Sequence, residues 1–514
     1  MEALTGYWKR IPRWVVICFA SALFVGVLTH MYMLTNKLPN HDDVAFIDGA
    51  GYTLRSGRWF LEVLRAAGFG GKWSVPWAAG IIAFLCVGGS SCLLLSVLDQ
   101  RDHLSAALLP ALLVTFPSMA SVLSFMFFAD LYFFGVLLTC AAVYLTRRGR
   151  WGFLPGGVLL GLALGVYQAY VCLAAGALLL CLLAETLRPE GEKKQVLYGA
   201  LRAGAALVIG VGLYYGVLQI LLNATDTALM AYQGLDRMGQ FSVASVPGSI
   251  LNAYRGFFRY FITRSPSLGK PVLPVLNGLL GAAMGGLLLG CLLKKENRRG
   301  WKIVFSLLLM GLLLLALAGV YVMAPNSDVH MVTSYQYVLL YAAAPVLLAA
   351  FLRDRQPVPS RGRLAAGVTV LLLALIMAEN FVLVNHAYMA SQLAFHKAYA
   401  YFERMVLRIE ESGEFAYGDT LAIVGPCHTD VFGTEGMNEE LKNMTGFDGA
   451  SNMLDYDAGA RHDFITNYIG LNAAYDDDYQ WNWRQIPEIV EMPAYPAEGS
   501  IKRVGDAVIV KMGD

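Results

Sequence analysis

Residues 304–322 read VFSLLLMGLLLLALAGVYV, an apolar run without the polar stripe that a helix on a soluble core would show. Such a run can cross a hydrocarbon layer of roughly 30 Å at about 1.5 Å per helical residue. Similar runs recur from residue 14 to residue 384, and the 514-residue chain is 57% hydrophobic and only 15% charged. The composition predicts an all-α polytopic membrane protein. A net charge of +1 gives no field for binding nucleic acid.

The apolar runs predict eleven transmembrane helices embedded in a lipid bilayer. They lie at about 14–34, 75–97, 104–123, 126–146, 153–169, 171–187, 197–222, 271–293, 303–324, 335–352 and 364–384. With the N-terminus inside, every inner segment carries Lys or Arg, whereas the short outer segment 325–334 carries neither. This arrangement predicts a cytoplasmic N-terminus and an extracytoplasmic C-terminus.

The pattern changes near residue 385, which predicts two domains. Residues 1–384 form the membrane domain, with long outer segments at 35–74 and 223–270. Residues 385–514 are more charged, and their apolar runs shorten to strand length at Thr420–Val424 and Ala507–Lys511. The tail therefore predicts a small extracytoplasmic α/β domain.

Two adjacent acids, Asp42 and Asp43, follow the first helix at its outer end. Such a pair could be solvated or could cap the next helix. An acid beside the membrane could instead act as a general base on an incoming hydroxyl, because a low-dielectric surround raises a carboxyl pKa toward the working range. We predict a catalytic role for this pair.

Two arginine pairs lie in stretches expected to form helices in the membrane interface, at 47–64 and 250–262. Arg55 and Arg58 are three residues apart and would share a helix face beside Trp59, where they could bind a phosphate while the ring stacks on a substrate. Arg255 and Arg259 offer the same chemistry. For both pairs the alternative is that the guanidinium groups simply reach toward lipid headgroups.

Three further polar residues lie at outer helix ends, at the same predicted depth. Asp130 is about one turn inside the fourth helix, where an ionisable group is costly unless it is functional or paired. Tyr167 and Gln168 lie where the fifth helix meets the sixth. Their convergence with the acidic pair predicts a substrate site in the outer leaflet.

Several short motifs together resemble the bacterial membrane glucosyltransferase family II, whose namesakes modify O-antigen. In chain order they are Asn40-His41-Asp42-Asp43, Ser56-Gly57-Arg58-Trp59, Phe128-Ala129-Asp130, residues 164–170 (LGVYQAY), residues 492–496 (MPAYP), Gly499-Ser500-Ile501 and residues 508–511 (VIVK). The order of these motifs covers nearly the whole chain. The family's acidic pair corresponds to Asp42 and Asp43, its Gly-Arg-Trp to residues 57–59 and its Tyr-Gln to Tyr167 and Gln168.

The resemblance implies a C-type glycosyltransferase fold in a bacterial cytoplasmic membrane. It further implies transfer of a glucosyl or other hexosyl residue from a polyprenyl-phosphate donor to a surface glycan on the outer side. Such chemistry admits, without requiring, a divalent cation (Mg²⁺ or Mn²⁺) between acid and phosphate. The main alternative is a transporter or flippase for lipid-linked sugars, although its polar residues would be expected nearer mid-membrane. A non-catalytic scaffold for glycan assembly is a third class.

Overall fold

The computed structural model describes residues 11–45, 53–69, 75–230, 245–263, 272–324, 329–353, 359–427, 441, 444, 446–447, 454 and 457–513. Within these ranges the chain is mainly helical, with a small sheet near its end. The helices are α1 Arg13–Thr35, α2 His41–Ala45, α3 Trp59–Ala66, α4 Pro76–Leu98, α5 His103–Thr115, α6 Pro117–Leu123, α7 Ala129–Arg147, α8 Phe153–Val166, α9 Tyr170–Thr186, α10 Lys193–Ala224, α11 Val246–Phe258, α12 Val272–Leu292, α13 Gly300–Leu317, α14 Val320–Met323, α15 Val338–Leu352, α16 Ser360–Glu411, α17 Ala458–Phe464, α18 Asp477–Asn482 and α19 Pro487–Val490.

Eight helical segments in the described residues are long and apolar enough to cross a membrane, which confirms the multi-pass class. They are α1, α4, α7, α10, α12, α13, residues 335–352 and α16. α5 and α6 are long and apolar enough for a ninth crossing only if they are counted together as one span. The two helices bend by 55° where Pro117 begins α6. The predicted count of eleven is not confirmed, because α8 and α9 have only 14 and 17 residues.

The bundle brings the ends of several helices together on one side of the molecule. α1 packs against α4 and α5, α4 packs against α7, and α7 packs against α8. α8 in turn packs against α10, and α9 lies between α10 and α13. The apolar side chains of these helices form one continuous core. Hydrogen bonds join the α1–α4 connection to the α6–α7 and α8–α9 connections at one end of the core, where Asp42, Asp43, Arg58, Tyr167 and Gln168 are found.

The last long helix links the membrane core to the tail. α16 continues without a break from Ser360 to Glu411, through the predicted boundary at 384/385. Its earlier residues, such as Ile376 and Leu383, join the membrane core, whereas Phe402 and Ile409 belong to a second apolar core in the tail. One rigid element therefore reaches from the bilayer region into the C-terminal part of the chain.

The tail contains a three-stranded sheet, two strands of which were predicted. β1 (Thr420–Val424) pairs in parallel with β3 (Ala507–Lys511), and β2 (Ile501–Val504) pairs antiparallel with β3. Both predicted strands are confirmed within these bounds, while β2 is an additional strand. Leu421 and Ile423 face the same apolar core as Phe402, so the sheet packs on the end of α16.

The two interfacial helices had different outcomes. The stretch at 250–262 is helical, because α11 continues into a π-helical turn at Arg259–Thr263. The prediction for 47–64 is confirmed as helix only from Trp59 onward, where α3 begins, and it was wrong for residues 53–58, which form a turn. Part of that stretch, 47–52, lies outside the described residues. Arg55 and Arg58 therefore do not share a helix face.

Candidate active site

The acidic pair lies on a short helix, α2, that is capped by the preceding asparagine. Oδ1 of Asn40 accepts hydrogen bonds from the backbone N–H groups of Asp42 at 2.8 Å and Asp43 at 2.9 Å. This is the usual N-cap arrangement, in which a side-chain oxygen satisfies free amides of the first turn. Nδ2 of Asn40 also donates to Oγ of Ser124 at 3.4 Å, in the α6–α7 connection. The helix carrying both acids is thus attached to the membrane bundle.

Asp43 is completely shielded from solvent, and its surroundings perturb its titration. Burial raises the pKa of the Asp43 carboxyl from 3.8 to about 6, partly opposed by the positive charge of Lys37. Its Oδ2 accepts a long hydrogen bond of 3.5 Å from the N–H of Met126. Its Oδ1 has no hydrogen-bond partner among the described residues. Asp43 therefore combines a pKa raised to about 6 with a buried oxygen that has no hydrogen-bond partner among the described residues.

Asp42 and Arg58 converge on Tyr132 at the start of α7. Nη1 of Arg58 donates to the Tyr132 hydroxyl at 2.9 Å, and Asp42 is close enough to interact electrostatically with the same hydroxyl. The Arg58 guanidinium also faces the rings of Tyr132 and Tyr167, 5.8 Å and 5.1 Å from their centroids. The predicted acid and arginine therefore belong to one site, joined by a tyrosine.

A turn ending at Arg58 sets the position of its side chain. Oε1 of Glu62 accepts the Thr53 hydroxyl at 2.5 Å and the N–H of Leu54 at 2.9 Å, which ties α3 back to the turn. Gly57 has φ +73°, and a Cβ atom there would lie 2.6 Å from Nε2 of Gln168. Only glycine fits this combination of backbone and close approach.

The α8–α9 connection supplies the opposite wall. Nε2 of Gln168 donates to the backbone oxygen of Ser56 at 2.8 Å and to the Tyr214 hydroxyl at 3.1 Å. The Tyr167 ring lies against Tyr132, with centroids 5.4 Å apart. Gln168 thus holds the turn before Arg58, while Tyr167 provides an aromatic face for the guanidinium. The structure brings both residues together with Arg58 and the turn that precedes it.

The C-terminal part of the chain covers the acidic helix. α17 packs directly against α2, and the Val44 side chain lies in the tail core beside residues such as Phe464. Gly446, at φ +91°, approaches so closely that a Cβ atom would lie 1.9 Å from Oγ of Ser124. The Phe447 ring packs at 5.7 Å against Tyr388 of α16. The acidic pair therefore lies at the seam between the bundle and the tail.

The other predicted residues lie elsewhere or contribute to packing. Asp130 is buried, and its Oδ1 accepts from the N–H of Leu131 while its charge interacts with Cys86 of α4. Trp59 is buried with its ring against Gly165 of α8. Arg55 is exposed, and its backbone oxygen accepts the N–H of Met230 at 2.9 Å.

Arg255 and Arg259 lie on the helix that packs against α13 and α14. They are exposed and line an open groove with Leu251, Phe258 and Ile262. This surface belongs to α11 rather than to the connections that carry Asp43 and Arg58. A contact with substrate stays a prediction for these two arginines, as it does for Asp130, Trp59 and Arg55.

Sequence reasoning did not identify several residues that build the site. They are Lys37, Asn40, Ser124, Tyr132, Tyr214 and Tyr468. Asn40 stands within a motif already singled out, so a capping analysis could have indicated it. Tyr468 is more than 400 positions from Asp43, and no local pattern points to it.

The side chains able to bind a metal are dispersed through the part of the chain that the structure describes. No group of three or more His, Cys, Asp or Glu side chains there is placed to hold an ion.

Comparison with known proteins gave one family match. The family model described as Glucosyl transferase GtrII matches residues 31–344, which is more than half of the chain and includes Asp42, Asp43, Arg58, Tyr132 and Gln168. The comparisons found no matching curated protein and no matching solved structure. The match ends before the tail that covers α2.

Proposed function

Because this chain belongs to the glucosyl transferase GtrII family, we propose that it transfers a glucosyl residue from a polyprenyl-phosphate donor to a surface glycan, on the outer side of a bacterial cytoplasmic membrane. The observation that carries the proposal is the convergence of a buried carboxyl, Asp43, with Asp42, Tyr132 and Arg58 at one end of the bundle. A carboxyl whose pKa lies near neutrality suits a general base. A lipid-linked donor can reach such a site laterally from the bilayer.

In the proposed reaction, Asp43 accepts the proton of an acceptor hydroxyl as that oxygen bonds to the anomeric carbon of the donor. The bond from this carbon to the phosphate oxygen breaks, and its electron pair leaves with the polyprenyl phosphate. Positive charge that develops at the anomeric carbon is stabilised by Asp42, and negative charge on the phosphate is stabilised by Arg58. A guanidinium suits this role because it can donate two parallel hydrogen bonds to a phosphate group.

The proposed orientation places the acidic pair outside, with eleven crossings and an extracytoplasmic C-terminus. Gln168, in the α8–α9 connection, bonds to Ser56 in the segment after α1 and to Tyr214 late in α10. The connection therefore lies at the same end of the bundle as the end of α1, which supports α8 and α9 as crossings. Nine or eleven crossings are both odd, so either count puts the two termini on opposite sides of the membrane.

The test is glucosyl transfer by the purified full-length protein from polyprenyl-phosphate glucose to lipid-linked glycan acceptors. Asp43→Asn is expected to lower the transfer rate by about 10²–10⁴-fold, the usual contribution of a general base. Arg58→Ala is expected to lower it by about 10²–10³-fold through loss of charge stabilisation at the leaving phosphate. Arg58→Lys should recover part of this loss, since it keeps the charge but loses the planar fork.

Matched controls are Asp478→Asn and Arg484→Lys on exposed parts of the tail, and both should retain the wild-type rate. Asp43→Asn should also keep its thermal stability, because burial already disfavours the charged carboxylate and an amide avoids that cost. A stable Asp43→Asn protein with the wild-type rate would show that Asp43 is not the base.

A further inference from the structure

Three buried polar atoms lie on or beside α2. They are Nζ of Lys37, Oδ1 of Asp43 and Oη of Tyr468. Asp43 interacts electrostatically with both of the other groups, so the three form one cluster centred on the carboxylate. Each of the three atoms is shielded from solvent and has no hydrogen-bond partner among the described residues. A buried polar group without a hydrogen-bond partner is destabilising, so a ligand that satisfied all three atoms would be favoured.

The tyrosine comes from the tail and is held in place by packing. Its ring stacks on Phe464 at 5.2 Å and packs against Phe395 of α16 at 5.7 Å. The hydroxyl therefore faces the acidic helix from a rigid support rather than from a flexible side chain. α17 comes shortly before Tyr468 in the chain, and it packs on α2 itself.

The chemistry of the cluster selects the class of ligand. The ammonium of Lys37 only donates, the carboxylate of Asp43 only accepts, and the phenol of Tyr468 does both. Asp43 would repel a phosphate, and Lys37 would repel a metal cation. The opposite charges balance, so the best complement is a neutral group whose atoms both donate and accept. Neighbouring hydroxyls of a sugar ring have this property.

We propose that the C-terminal domain completes the acceptor subsite, where Tyr468 and Lys37, together with Asp43, bind the hydroxyl groups of a neutral sugar unit of the acceptor. This inference rests on the proposed function, because it places the acceptor sugar beside the base assigned there. It assigns the tail a direct part in substrate binding, beyond the residues that the family match covers.

The experiment measures sugar binding by saturation-transfer NMR, with the full-length protein in lipid nanodiscs. The probes are methyl α-glucoside, methyl α-galactoside and methyl α-rhamnoside. At least one probe is expected to bind the wild type, and Tyr468→Phe should weaken that binding by about 3–10-fold through loss of one hydrogen bond. In the transfer assay the same variant should raise KM for the acceptor and leave KM for the donor unchanged.

Tyr479→Phe is the matched control, because it removes a hydroxyl from the same domain that donates to Asp506 instead. Tyr468→Phe should keep its thermal stability, since its hydroxyl has no partner among the described residues. Equal probe affinity in the wild type and Tyr468→Phe, or no probe binding by the wild type, would overturn the inference. Full transfer activity of Asp43→Asn would overturn the proposed function instead, and the binding readout separates the two failures.

Discussion

At the scale of single residues, the titration of Asp43 controls the proposed reaction. Burial raises the pKa of this carboxyl to about 6, so it is charged, and able to accept a proton, above that pH. The value of kcat/KM is therefore expected to be highest above about pH 6 and to fall about tenfold per pH unit below it. A profile of kcat/KM between about pH 5 and pH 8 measures this dependence.

A second variant ties the inflection to Asp43 rather than to another group. Lys37→Met removes the positive charge that favours the carboxylate, so the pKa of Asp43 should rise and the inflection should move to higher pH. Lys502→Met, at an exposed ion pair with Glu488, should leave the profile where it is. If Lys37→Met leaves the inflection in place, Asp43 does not set the pH dependence.

At the scale of helices, a buried histidine joins three membrane segments. Nε2 of His30 in α1 donates to the backbone oxygen of Val114 at 2.8 Å, and Nδ1 accepts from the Tyr388 hydroxyl of α16 at 2.6 Å. The Val114 oxygen is free to accept because α5 ends at Thr115, just before Pro117 begins the next helix. One imidazole thus fixes α1, α5 and α16 relative to one another.

The losses from changing His30 and Tyr388 should be less than additive, because both residues belong to this contact. Tyr388→Phe leaves Nδ1 of His30 buried without its partner, which is expected to lower the free energy of unfolding by about 1–3 kcal/mol. His30→Leu combined with Tyr388→Phe should cost less than the sum of the single changes, because the two sites share one interaction. Thermal unfolding in detergent measures both; strictly additive losses would show that the two side chains are not coupled.

The helices and two tail strands could be predicted because their signals are local. An apolar run such as 304–322 needs no knowledge of its neighbours, and the strand bounds Thr420–Val424 follow from a short apolar segment. The turn before Arg58 could not be predicted from the sequence, because it depends on a hydrogen bond from Thr53 to Glu62 and on the positive φ of Gly57. A helical reading of that stretch satisfied the apolar pattern but not these contacts.

At the scale of the whole molecule, the candidate site depends on contacts between distant parts of the sequence. Arg58 meets Tyr132 across 74 positions, and Val44 enters an apolar core made by the tail. The sequence predicted that one face of the membrane holds Asp42, Asp43, Arg58, Tyr167 and Gln168. Topology alone does not predict which of these side chains are in contact. The burial of Asp43 could not be predicted, since it requires the tail to fold back over α2.

The proposed topology makes a prediction for the molecule as a whole, because the tail must lie on the same side as Asp43. Glu498→Cys should react with a membrane-impermeant maleimide in cells whose outer membrane has been permeabilised, since residue 498 is exposed on the tail. Arg150→Cys, in the exposed connection between α7 and α8, should react only after the inner membrane is opened. The eight native cysteines are buried or half-buried, so they should give little background. Labelling of Arg150→Cys but not Glu498→Cys in unopened cells would invert the topology and place the acidic pair inside, where a lipid-linked donor facing outward could not reach it.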